Sequence, residues 1–380
     1  MTLMTTATPM TTWLDAREIL AIRPDNIGDV IMLGPALRAV KESAPQARIT
    51  LLASPAGATA APLLPWIDDV IVERVIWQDV GGHIPFDPAR EQALITRLAQ
   101  RHFDAALIFT SFSQSPHTPG YLCYLAGIPL RAGESKEFGG SALTTELRGA
   151  PDEMHQVERN LRLVERLGFV ARDRRLCVRL TNVDRADARW LLGSLGVAAD
   201  APYILLHPGA SAQARRYPAE RFGAVARLLD AHGWQTLVTG VERERDLLQA
   251  VAREAPHTPQ MASEQRLGVY AALIEQAALV ICNDTLPMHL ADALLTPEVT
   301  LYAGTELESQ WRPRATQSLL LRRSTPCQPC YLFACPLGQP CLAIPPEEVV
   351  AAAETLLAQT GLRRPALEVP NAPVMMEESR

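Results

Sequence analysis

Several marks that would assign a chain of this size at sight are missing. There is no Gly-x-Gly-x-x-Gly turn and no P-loop lysine motif, which argues against a dinucleotide oxidoreductase site and a nucleoside triphosphatase. No Asp-x-Asp pair occurs, so no catalytic divalent metal is expected. Basic residues form no block, and 36 Lys and Arg against 42 Asp and Glu leave a net charge of −6. That balance argues against nucleic acid as a partner. No apolar run is long enough to span a bilayer. The best, residues 51–72, is broken by Pro55, Pro62 and Pro65 and carries Asp68 and Asp69. Met1 to Thr12 is rich in Thr and has no Lys or Arg, unlike a secretory signal. A cytoplasmic protein is expected, with any membrane contact peripheral.

What is present is a chain of 380 residues, 48% of them hydrophobic, enough for two domains with good cores. Residues 1–16 read as a loose leader. Strand signals at 18–23, 48–53, 69–72 and 105–110 then alternate with helix signals at 30–43, 57–64, 88–101 and 121–126. Pro35 falls inside the first helix, which should kink or start late. Helices are predicted at 154–167 and 184–196, with a strand-like stretch at 177–180. A second alternation follows, with strands at 203–207, 235–239, 278–282 and 300–302, and helices at 218–232, 244–254, 267–276 and 287–294. Repeated βα units imply parallel, doubly wound sheets. The expected division is an N-terminal domain at 17–182 and a C-terminal domain at 183–345. A helix at 346–362 and a disordered tail at 363–380 complete it.

Four strand ends carry the chemistry. After the run Ile19-Leu20-Ala21-Ile22 comes Arg23-Pro24-Asp25-Asn26-Ile27-Gly28-Asp29, a tight loop that sets Asp29 near a helix N-terminus. An Asp there is commonly only a cap, but the carboxyl edge of a parallel sheet is also where open α/β folds do chemistry. In the second half, Asn283-Asp284-Thr285-Leu286-Pro287-Met288-His289 ends a strand and starts a helix at Pro287. Free backbone N–H groups there suit an anion such as a diphosphate, with Thr285 and His289 beside it. His207-Pro208-Gly209-Ala210-Ser211 leads through Arg215 and Arg216 to Tyr217-Pro218. Paired arginines suit phosphate, although many are solvated surface pairs. Gly240-Val241-Glu242-Arg243-Glu244 could place a carboxylate on a ribose diol, or could be a solvated helix face.

Taken together, these stretches resemble glycosyltransferase family 9, the ADP-heptose:lipopolysaccharide heptosyltransferases, over about residues 18–358. The resemblance rests on Asn26-Ile27-Gly28-Asp29, on 207–211 with 215–218, on 283–291 and on the cysteine-rich stretch near the C-terminus. It implies a GT-B fold, α/β, of two Rossmann-like doubly wound domains facing a cleft, the first taking the acceptor and the second the nucleotide sugar. It implies that Asp29 is the general base. Ser211, Arg215, Arg216, Glu244, Asp284, Thr285 and His289 would serve the donor, with Asn26, Gly28 and Gly209 shaping the loops. Arg215 stands where the family carries Lys and Tyr217 where it carries Trp. Thr285-Leu286 replaces a small Gly or Ser-Gly, which puts bulk where backbone would approach the ligand. The expected reaction is inverting transfer of heptose or a related sugar from a nucleotide-diphosphate donor, ADP-heptose foremost, to a lipopolysaccharide core or similar glycan. No cofactor is required for it.

Two other readings share the architecture: a sugar-nucleotide 2-epimerase, and a non-catalytic nucleotide-sugar-binding protein, the latter suggested by Leu286. Of seven cysteines, Cys123, Cys177 and Cys282 sit in apolar runs as inert thiols. Cys327, Cys330, Cys335 and Cys341 cluster with x2, x4 and x5 spacing. Four thiols could hold a structural Zn²⁺, but the spacing is not that of a zinc ribbon, so free thiols stand equally.

Overall fold

The computed structural model describes residues 12–198, 201–262 and 265–362. The tail expected at 363–380, and the leader up to residue 11, lie outside the described residues. The end of that leader is not loose: Trp13–Asp15 makes a 3-10 turn, Trp13 packs on the core and Ala16 is buried.

Among the described residues, twelve strands form two sheets of six, parallel throughout. The first holds β1 (Glu18–Arg23), β2 (Arg48–Ala53), β3 (Asp69–Val72), β4 (Ala105–Ile108), β5 (Leu130–Glu134) and β6 (Thr145–Leu147), in the order β3-β2-β1-β4-β5-β6. The second holds β7 (Tyr203–His207), β8 (Gln235–Gly240), β9 (Gln260–Ala262), β10 (Leu279–Asn283), β11 (Glu298–Leu301) and β12 (Ser318–Leu321), in the order β12-β11-β10-β7-β8-β9. Counted from each sheet's own first strand, both orders are 3-2-1-4-5-6, the winding of a dinucleotide-binding fold. The winding reverses between β1 and β4, and again between β7 and β10. A crevice opens at such a reversal because successive helices leave to opposite faces.

Burial explains why these runs are strands. Along β1, Ile19 and Ala21 join one apolar cluster and Leu20 and Ile22 another, so each face of the sheet is covered. The cluster containing Ile19 includes Val157, Leu161 and Val164 of helix Gln156–Arg166. It continues to Leu205, Val280 and Cys282 of the second sheet. The opposite face of that sheet packs Leu206, Val238, Ile281 and Val299 against Phe222 of helix Ala219–Ala231 and Val349, Ala353 and Leu357 of helix Pro346–Gln359.

Pro35 divides its predicted helix. Ile27–Ile31 ends before it, and Gly34–Ser43 begins with Pro35 in its first turn, where a missing N–H costs nothing. Strands β5, β6, β9 and β12 are absent from the sequence reading. β6 and β9 have three residues each, and β5 carries buried Arg131 and Glu134, which masks its pattern. The stretch 177–180 joins no sheet. Its one ladder-like bond runs from Arg179 N–H to Leu63 O at 2.8 Å.

Phe222 is fully buried and meets Tyr217 edge-on, with ring centroids 5.4 Å apart. Phe222→Ala should lower unfolding stability by about 3–5 kcal/mol, read as a shift in the urea midpoint at unchanged slope.

Candidate functional site

The two reversal points face each other. Helix Ile27–Ile31, after β1, packs on helix Leu286–Leu294, after β10. A Cβ at Gly28 would come within 2.7 Å of His289 Cδ2, so glycine at 28 is what lets the helices approach. Asp29 and His289 therefore come from different sheets to one cleft.

Asp29 is the third residue of its helix, and its side chain is partly open to solvent. One carboxylate oxygen accepts the Asn26 N–H at 3.2 Å, a capping bond. The other accepts from Arg23 Nη2 at 2.8 Å. Capping thus takes one oxygen and an ion pair the other. Arg23 ends β1 with no solvent exposure. It also donates to Ser111 Oγ at 2.9 Å, and its Nε lies 2.9 Å from Asp25 Oδ2. Asp25 in turn accepts from Gln78 at 3.0 Å and Gln114 at 2.7 Å. Burial raises the Asp25 carboxyl, with Arg23 opposing the rise and Asp29 adding to it. Burial alone would lower Arg23, but the two aspartates outweigh it and hold the guanidinium charged.

Across the cleft, Arg215 lies in the 3-10 turn Gln213–Arg215 after β7 and pairs with Glu306 at 2.5 Å. Asp284 is buried, with one carboxylate oxygen lacking a hydrogen-bond partner. It is the largest attraction holding Arg215 above its ordinary value against the effect of burial. His289 is pushed down by burial, against the pull of Asp284 and Asp29, and so is neutral near pH 7. Thr285 is the cap residue of helix Leu286–Leu294, and its hydroxyl makes no capping bond. Leu286 packs on the apolar core. At that helix start Pro287 has no N–H and the Met288 N–H donates to Thr285 O at 3.1 Å, which leaves the Leu286 amide to face an anion.

Glu244 is buried, accepts the Val241 N–H at 3.1 Å, and lies 4.0 Å from His207 Nε2. A Cβ at Gly209 would come within 2.3 Å of its carboxylate, so Gly209 is the notch that admits Glu244 beside the 207–211 loop. Arg216 is turned away from this role, its Nε donating to Ala210 O at 2.9 Å. Ser211 is exposed.

The arrangement brings together Asp29, Arg215, Asp284 and His289, with Asn26 and Gly28 as their frame and Glu244 beside Gly209. Sequence reasoning missed Arg23 and Asp25 as partners of Asp29, Glu306 as partner of Arg215, and the task of Asn283. A charged residue ending an apolar buried strand, with acids two and six places on, was the available signal for Arg23. Asn283 is fully buried. It accepts the Tyr217 N–H at 2.9 Å and donates to Pro208 O and Gly209 O at 2.9 and 3.2 Å, tying both ends of the loop after β7 to the end of β10.

The zinc reading finds no support. Among the described residues no group of three or more His, Cys, Asp or Glu is placed to share an ion. Cys327 is exposed, Cys330 and Cys335 are half-buried, and Cys341 is buried, all as free thiols. Cys341 belongs to the 3-10 turn Pro340–Leu342 and packs into the core of the second sheet, whereas Cys327 lies at the surface.

With this geometry in view, residues 92–339 match the family described as glycosyltransferase family 9 (heptosyltransferase). Lipopolysaccharide heptosyltransferase 2 of Escherichia coli (strain K12) is 26% identical over 300 residues, covering 75% of this chain and 82% of that protein. The glycosyl transferase family 9 structure from Veillonella parvula DSM 2008 superposes with a TM-score of 0.74 at 22% identity, covering 91% of this chain and 98% of that one. The structure of E. coli ADP-heptose lps heptosyltransferase II gives 0.71 at 21% identity, covering 90% and 99%. These likenesses establish the GT-B fold.

Replacing Arg23 by Met would leave Asp25 and Asp29 without their cation. Breaking a buried pair in this way costs about 3–5 kcal/mol, so Arg23→Met should show that loss in urea unfolding. Arg23→Lys should fall between, since an ammonium cannot reach both carboxylates in one plane.

Proposed function

The chain belongs to glycosyltransferase family 9, and from that premise we propose that it moves heptose, or a closely related sugar, from an ADP-activated donor to a lipopolysaccharide core or similar glycan. It is a glycosyltransferase. The donor and acceptor are inferred from relatives named as lipopolysaccharide and ADP-heptose heptosyltransferases. The observation that carries the proposal is the opposition of a braced carboxylate, Asp29, to an anion-binding set built from Arg215, His289 and the start of helix Leu286–Leu294.

In this reading the donor lies along the carboxyl edge of the second sheet. Glu244 takes the ribose diol, and the diphosphate lies at the helix start beside Arg215 and His289. The acceptor hydroxyl approaches from the first domain. As its oxygen bonds to the anomeric carbon, its proton passes to the Asp29 carboxylate. The bond from the anomeric carbon to the diphosphate oxygen breaks, and the nucleoside diphosphate carries that electron pair away. Arg215, neutral His289 and the Leu286 amide stabilise the charge that gathers there. One displacement inverts the anomeric centre. Arg23 keeps Asp29 aimed. The domain division at 182/183 belongs to this proposal, with 17–182 binding acceptor and 183–345 binding donor. Arg216 and Ser211 contribute to the shape of the donor loop.

Among the described residues no helix is long and apolar enough to cross a membrane. The reading sets the enzyme on the cytoplasmic side, where it meets its nucleotide donor, with peripheral contact to the membrane that carries the acceptor.

Asp29→Ala should abolish transfer to lipopolysaccharide-core acceptor, by at least about 10³-fold, while ADP-heptose binding by calorimetry stays within about twofold of wild type. Unchanged turnover in Asp29→Ala would remove the base assignment. Conversion of the donor without acceptor would point instead to an epimerase, and tight donor binding with no product to a binding protein.

A further inference from the structure

Glu306 has no part in the reaction as set out above, yet it occupies the arginine that the donor needs. It lies in the loop after β11, where Tyr302 O–H donates to Leu307 O at 3.3 Å. From there its Oε1 reaches Arg215 Nη2 at 2.5 Å. Both side chains are mostly buried. Around the pair, Arg215 Nε, Asp284 Oδ2 and Thr305 Oγ1 are buried without hydrogen-bond partners among the described residues. These unpaired donors and acceptors, next to an ion pair, have the composition of a phosphate site closed on itself.

The charges facing Glu306 are Arg215, Asp284 and Asp29. The hydroxyls of Tyr302 and Tyr331 also lie within its field, and His289 faces Asp284, Asp29 and Arg215. Three carboxylates thus surround one guanidinium. A diphosphate diester adds two further negative charges. It can take Arg215 only if Glu306 lets go, and an ionised Glu306 set free beside it would repel it at close range. Neutralising Glu306 with a proton removes that repulsion and turns the carboxyl into a hydrogen-bond donor.

We propose that Glu306 is a proton-taking placeholder, holding Arg215 in the empty cleft and accepting a proton from solvent when the donor's diphosphate claims that arginine. The inference rests on the reading of Arg215 as a diphosphate ligand. Glu306 is poised for the task. Burial lifts its carboxyl to about 7, with Arg215 pulling it down and Asp284 and Asp29 pushing it up. Release of product reverses the step: the nucleoside diphosphate leaves, Glu306 loses its proton and takes Arg215 again. Glu306 is a positioning residue in this scheme, since it acts through the arginine.

The sign of the pH effect follows. A group that must be protonated in the complex helps binding below its free value and hinders it above. Burial holds His289 below its ordinary value, which keeps it out of the neutral window.

The test uses the full-length protein and ADP-glucose, whose diphosphate diester does not ionise near neutrality. Affinity is measured by calorimetry between pH 6 and pH 8 in buffers of different ionisation enthalpy. Wild type should weaken about tenfold across that range and take up close to one proton at the upper end. Glu306→Gln should bind with no such slope and no proton uptake, and more tightly than wild type at pH 8. Glu306→Asp, which keeps a titrating group, should keep a slope, and circular dichroism confirms that each variant is folded. A wild-type slope retained in Glu306→Gln, or a flat wild type, overturns the inference. Arg215→Ala tests the reading beneath it and should lose binding at every pH. If Arg215→Ala binds like wild type, the arginine is not the diphosphate ligand and the donor assignment itself falls. UDP-glucose and GDP-mannose run in parallel; absence of binding for all three would overturn both.

Discussion

A guanidinium with no access to water, Arg23, sets the geometry on which the cleft depends. It closes β1 at the point where the sheet's winding reverses, so it cannot move without disturbing the central strand. Its Nη2 holds Asp29 and Ser111, and its Nε contacts Asp25. One rigid planar group therefore fixes two carboxylates relative to each other and to the sheet. Asp25 passes the constraint outward through Gln78 and Gln114, which pins the loops on either side. Burying such a charge is costly and is offset only by close partners. The two aspartates supply that offset, and in return each is denied free rotation. A carboxylate meant to receive a proton from a positioned hydroxyl needs that restriction.

The second half of the chain repeats the architecture with the charges exchanged. Both sheets have the same strand order, and each places an Asn and an Asp at the start of a helix beyond its reversal point. In the first half the Asn backbone caps with Asp29. In the second, the Asn283 side chain is spent on Tyr217, Pro208 and Gly209, so the loops after β7 and β10 behave as one body. The first half presents a carboxylate balanced by a buried arginine. The second presents an arginine balanced by Glu306 and Asp284. Each side sets two carboxylates against one guanidinium, so any new partner of either arginine must displace one already in place. A glycine at 28 and another at 209 permit two close approaches, of His289 to the first helix and of Glu244 to its neighbouring loop.

How much of this was legible in the sequence depended on range. Long apolar runs before Gly-, Pro- or Asn-containing turns announced β1, β2, β7, β8 and β10, because burial on both faces leaves an unbroken apolar signal. The strands missed were short or, like β5, carried buried charges whose partners lie elsewhere in the chain: Glu134 pairs with Arg162 at 2.7 Å. Periodicity cannot register a charge neutralised from 28 residues away. The site divides in the same way. Asp29, His289 and Glu244 stand out in the sequence because each lies in a strand-to-helix turn with local character. Glu306 does not, since its importance comes from Arg215, 91 positions distant. Arg216 looked like the equal of Arg215 in sequence, and only the fold shows that it is committed to the Ala210 carbonyl. The cysteine cluster failed for the converse reason. Four thiols close in sequence are separated in exposure by the turn that carries Cys341 into the core.

Leu286 shows how a departure from a family pattern can be absorbed. By sequence it puts bulk beside the anion loop, and that bulk prompted a non-catalytic reading. In the fold its side chain packs on the apolar cluster shared by the two sheets, away from the helix amides that would meet an anion. The residue before it, Thr285, keeps its hydroxyl free of any capping bond, so the polar lining of the turn survives. A small residue at 286 is therefore one way to open the helix start, and an apolar residue drawn into the core is another. The two differ in what they do to the neighbouring helix. Half-buried against that cluster, Leu286 ties its helix start to the packing that supports β1 and helix Gln156–Arg166, and that tie makes the distance between Asp29 and this helix start a property of core packing rather than of loop conformation.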